Sequence, residues 1–126
     1  MNKINFFYTT FQGSAPASIF TGNKNNPVTL SLELIANLIL DDEPKNFDIL
    51  ISSRNEILFK GPIPIGNIVD LGNTGLLTTQ LTLPISISNV VPFQNYSFSF
   101  VLSKNGEDLQ HSQTEIFIVE ENNVRK

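Results

Sequence analysis

Residues 77–87 alternate strictly between apolar and polar side chains. Leu77, Leu81, Leu83, Ile85 and Ile87 hold odd positions with Thr79, and Thr78, Gln80, Thr82, Pro84 and Ser86 hold the even ones. A period of two places one set on each side of an extended chain, which is the mark of a half-buried β-strand and cannot line one face of a helix. Pro84 has no N–H to give to a ladder, so the strand is expected to lie at an edge or to bend there. Tyr96, Phe98, Phe100 and Leu102 repeat the pattern, with Ser97 and Ser99 on the other face.

Asn105-Gly106 follows directly and predicts a type I′ hairpin, because both residues tolerate positive φ. A strict two-residue turn would pair Leu102 with Leu109 and carry Gln113 and Glu115 into the core. A β-bulge near Ser112 is expected instead, turning Ile116 and Ile118 inward and sparing a buried carboxylate. Further strands are expected over residues 4–11, 28–40, 47–52 and 56–59, with a short amphipathic helix over 31–40 as the alternative to the second. Residues 61–66 read as extended loop, and Asp70 to Gly75 as a turn-rich connection. About seven or eight short strands joined by turns predict one antiparallel β-sandwich over residues 1–119, followed by a polar tail, 120–126.

Composition narrows the chemistry. There is no Cys, which excludes disulfides, thiol catalysis and Cys-based metal sites. The net charge of −4 leaves no surplus of cations to neutralise phosphates, so nucleic acid is not an expected partner. No stretch is long and apolar enough for a membrane span, and residues 1–12 do not form a signal peptide. A cytoplasmic site is expected, or a phage particle assembled in the cytoplasm.

The segment Val90-Val91-Pro92-Phe93-Gln94-Asn95-Tyr96-Ser97-Phe98-Ser99-Phe100 resembles the tyrosine corner that leads into strand F of immunoglobulin-like and fibronectin type III domains. Val90, Pro92, Tyr96, Phe98 and Phe100 match it by position. The resemblance implies an immunoglobulin-like sandwich in which Tyr96 packs its ring in the core and bonds backbone at the corner through its hydroxyl. Phe93 stands where a glycine is usual, and the chain has no Trp. The chain also resembles small bacterial proteins of this architecture and accessory domains of phage tails.

Few residues suggest catalysis. His111 is the sole histidine, and no Gly-x-Ser-x-Gly elbow accompanies it. It reads as a partly solvated strand residue, so no enzyme activity is expected. Asp41-Asp42-Glu43 offers three oxygen donors on one loop, but it lacks calcium-loop spacing and reads as a solvated turn. Asp48 and Asp70 are the further acids that could join it in space. Asp70-Leu71-Gly72-Asn73-Thr74-Gly75 has no Lys and is no phosphate loop. Asn95-Tyr96-Ser97 fits a glycosylation acceptor by coincidence. Neither a cofactor nor a metal is expected.

The apolar surplus is more telling. If even positions of residues 28–40 face the core, Ile35 and Ile39 face outward. Leu50 and Leu58 likewise oppose Ile49, Ile51, Ile57 and Phe59. Ile35, Ile39, Leu50 and Leu58 are therefore the candidate partner-binding residues, unless another part of the chain covers them. The expected function is a protein-interaction or assembly module that binds a partner or itself. A phage tail or capsid protein and a small-ligand or carbohydrate-binding domain are the alternatives.

Overall fold

The computed structural model describes residues 2–11, 19–22, 28–54, 56–64, 66–90 and 92–120. These residues form two packed sheets and no α-helix, an all-β sandwich. The strands are β1 (Lys3–Thr10), β2 (Ile19–Gly22), β3 (Val28–Leu40), β4 (Asp48–Ser53), β5 (Glu56–Pro62), β6 (Ile68–Asp70), β7 (Leu77–Val90), β8 (Asn95–Lys104) and β9 (Glu107–Glu120). One sheet has the order β1-β3-β7-β6, and the other β2-β9-β8-β4-β5. All described pairs are antiparallel except β2 with β9, which run parallel. Among the described residues no helix is long and apolar enough to cross a membrane. The expected tail lies almost wholly outside the described residues.

Residues 28–40 form a strand rather than a helix. Its even positions Leu32, Leu34, Ala36, Leu38 and Leu40 all enter the core. They meet Ile49 and Ile51 of β4, Phe98, Phe100 and Leu102 of β8, and Ile116 and Ile118 of β9. The rings of Phe7 on β1 and Phe100 on β8 meet edge to face, with centroids 5.4 Å apart. Each such side chain contributes about 1.5–3 kcal/mol through burial, so Phe, Ile and Leu can hold the sheets together without a disulfide.

The hairpin at Asn105-Gly106 has positive φ at both residues, 53° and 80°. The bulge that rescues the β9 register lies earlier than expected. Ser103 pairs with Asp108 but Leu102 pairs with Gln110, so Leu109 is the extra residue. Placed beside the hairpin, it packs partly against the core, while Ile116 and Ile118 turn inward and Glu115 stays exposed.

On one flank, β1 closes against β9, where the backbone N–H of Ile4 donates to Oε1 of Gln110 at 2.9 Å. On the other flank β5 and β7 enclose a cleft of about 380 Å³, with Pro64 and Gly66 at its lining.

Candidate functional site

The most exposed apolar side chains at one corner come from three separate elements. After β7 the chain turns through Pro92 and Phe93, and Phe93 takes φ = +66°. For a bulky L-residue this left-handed region costs about 1–2 kcal/mol. Phe93 is nevertheless 72% exposed, so core packing does not offset that cost. Two backbone bonds hold it there. Its N–H donates to the carbonyl of Ile118 at 2.7 Å, and the Ile118 N–H donates to the carbonyl of Gln94 at 2.8 Å.

Phe117 precedes that anchor and points away from the core, since its neighbours Ile116 and Ile118 point into it. Ile19 on β2 pairs with Phe117 across the parallel ladder. All three residues are exposed. Exposed Asn95, in register with Phe117, and exposed Glu115 border them.

The corner differs in one bond from the resemblance. The Tyr96 hydroxyl donates to Oε1 of Gln94 at 2.7 Å, a side chain rather than backbone. The Arg54 guanidinium stacks over the Tyr96 ring at 4.8 Å and donates to the Asn95 carbonyl at 3.2 Å. The turn that carries Arg54 is thereby tied to the start of β8.

The structure does not bring together the four residues expected to form a partner surface. Ile35 lies on the outer side of its sheet, outside the core cluster, but is only 7% exposed. It occupies a central strand between Tyr8 and Thr82, which leave it little surface to desolvate. Ile39 is half-buried in the same strand, between Lys3 and Thr78. Leu50 is half-buried on the opposite sheet, between Lys60 and Val101. Leu58 does not face outward. The register steps from Ile51–Phe59 to Ser52–Ile57, so Leu58 is the bulged residue and packs against the core. Ile57 takes the outward place and is 59% exposed.

His111 is exposed on β9, in register with Val101. Among the described residues no three His, Asp or Glu side chains converge as a metal site. Within the acidic loop, the Lys104 ammonium lies 3.0 Å from Oδ2 of Asp42. That hydrogen bond, followed by those from the Glu43 N–H and Asn46, holds the Asp42 carboxyl below its ordinary range. Lys104 also stands 5.1 Å from the centre of the Phe47 ring. Asp70 ends β6, and Leu71 to Gly75 form the expected turn, closed by the Leu71 N–H on the Leu76 carbonyl at 2.9 Å.

Sequence reasoning did not find Ile19, Phe93 or Phe117 as a surface. Phe93 in a glycine position was the available signal. Ile19 gave none, because a four-residue strand has too few positions to display alternation. No family model matches the chain, and neither does a curated protein or a solved structure.

Proposed function

We propose that the chain is a non-enzymatic, immunoglobulin-like module that binds another protein through the corner formed by Ile19, Phe93 and Phe117. The observation that carries this reading is Phe93, an aromatic side chain left in solvent on a backbone conformation that disfavours it. Backbone strain of this kind persists where the surrounding structure enforces it, and it concentrates at ligand-contact sites. Aromatic anchors surrounded by a polar rim are also the usual centre of a protein interface. The immunoglobulin-like arrangement belongs to the same proposal. It is supported by the turn from Val90 through Pro92 to Tyr96, and by the inward line of Phe98, Phe100 and Leu102.

The test is affinity capture from the source organism with three baits: the unsubstituted protein, F93S/F117S, and I57S as a control on another surface. A partner retained by the first and third and lost by the second supports the reading. The purified partner should then bind F93S/F117S at least about tenfold more weakly, since losing one anchor typically costs more than 1 kcal/mol. Equal binding by all three baits, with equal thermal stability, overturns it.

A further inference from the structure

β7 has fourteen residues and not one charged side chain. β6 pairs only with Leu77, Thr78 and Thr79. Beyond Thr79, on the side away from β3, β7 meets no strand among the described residues.

The direction of its peptide groups can be worked out. The Thr79 carbonyl accepts from Nδ2 of Asn37 on β3 at 3.3 Å, so it faces β3. The next carbonyl, that of Gln80, lies 3.6 Å from where a Cβ would stand on Gly66, which leads into β6, so it faces the open side. Peptide groups alternate along a strand flanked by antiparallel neighbours. Thr82, Pro84 and Ser86 therefore also direct their backbone groups outward. Pro84 puts its missing N–H into the open edge, and the ladder to β3 loses nothing. That ladder runs unbroken from Leu30–Ile87 through Glu33–Pro84 to Leu40–Leu77.

The inward side chains beside this edge, Leu83, Ile85 and Ile87, are only half-buried against the core. A long, uncharged edge with an apolar inner face is a template for pairing with another chain. The other long edges carry charges: Lys3 on β1, and Glu56 and Lys60 on β5. β2 is uncharged but has only four residues. Between Leu77 and Ile87 the single interruption on β7 is Pro84, and past Ile87 the strand bulges near Asn89, which takes φ = +56°.

We propose that Pro84 guards this edge, and that its ring is what prevents the β7 strands of two copies from pairing. The proposal is independent of the corner, which lies on the opposite sheet and the β7–β8 turn.

Two variants test it, P84T and P84K. P84T restores a neutral, hydrogen-bonding edge. It should raise the solution mass by light scattering above that of the unsubstituted protein at equal concentration, with doubling as the first step. The amides of Thr82 and Ser86 should exchange rapidly in the unsubstituted protein and become protected in P84T. P84K removes the ring but supplies a charge, and should keep the unsubstituted mass. The proposal fails if P84T does not associate, if P84K associates equally, or if P84T associates without protecting Thr82 and Ser86. Unfolding of P84T also overturns it, because a nitrogen that faces away from β3 can be replaced without loss to the native ladder.

Discussion

The Phe93 N–H donates to the Ile118 carbonyl at 2.7 Å, so a residue in the left-handed region is clamped to the last inward-facing isoleucine of β9. Strain at one end of the bond is held in place by burial at the other. Phe93→Gly should relieve about 1–2 kcal/mol of strain while adding about 0.5–1 kcal/mol of unfolded-chain entropy. A net stabilisation of about 0.5–1 kcal/mol is expected in urea unfolding. Phe93→Ala keeps the strain and should not stabilise. Both should weaken partner binding, which separates what the backbone needs from what the surface does.

Phe100 is fully buried and meets Phe7 edge to face across the sandwich. Phe100→Ala should cost about 3–5 kcal/mol, through lost transfer energy and the cavity left behind. Val101→Ala, one residue along on the outer side, should cost under about 1.5 kcal/mol, because its half-buried side chain leaves no comparable void. Equal losses would mean that the two faces of β8 are wrongly assigned.

Leu109 is the extra residue of β9. Its deletion should straighten the strand and leave Ile116 and Ile118 inward, at a cost near its partial burial, about 1 kcal/mol. Deleting Leu109 and Gln110 together should shift the parity of everything beyond them, expose both isoleucines, bury Glu115 and abolish cooperative unfolding. Circular dichroism melts of the two deletions check this, and a melt of the double deletion like that of the single would refute it.

Asp42 is held below its ordinary range chiefly by the hydrogen bond from Lys104. A depressed folded value means that the contribution is complete above the unfolded carboxylate range and is lost as pH falls through the folded value. Lys104→Met should lower Tm at neutral pH and flatten its decline on the acid side. The effect should be small, because the pair is well exposed to solvent. An unchanged slope of Tm against pH would show that Lys104 does not perturb Asp42 in solution.

Much of the sandwich was legible because long strands repeat their signal. Thirteen residues of β3 give enough alternation to favour the strand that the structure shows over the helix held as its alternative, and Asn105-Gly106 states its turn by chemistry alone. Two short strands, β2 and β6, were not legible, because three or four residues carry no period. Bulges account for the other differences. An inserted residue changes which face follows it, and parity arguments cannot locate the insertion. Near Ser112 the expected bulge was right in its consequence and wrong in its place. At Leu58 an unrecognised bulge exchanged its facing with that of Ile57. The corner was hidden for a further reason: Ile19 and Phe117 are neighbours only through a parallel ladder, which no local pattern announces.

That parallel ladder also sets the order of events during synthesis. Residue 19 cannot meet residue 117 until nearly the whole described chain has been made. Contacts of such long sequence separation are slow to form. The β8–β9 hairpin can close locally beforehand, but the aromatic corner has no complete form until β2 docks on it. The corner proposed as a binding surface is therefore completed late, and a nascent or partly folded chain lacks it.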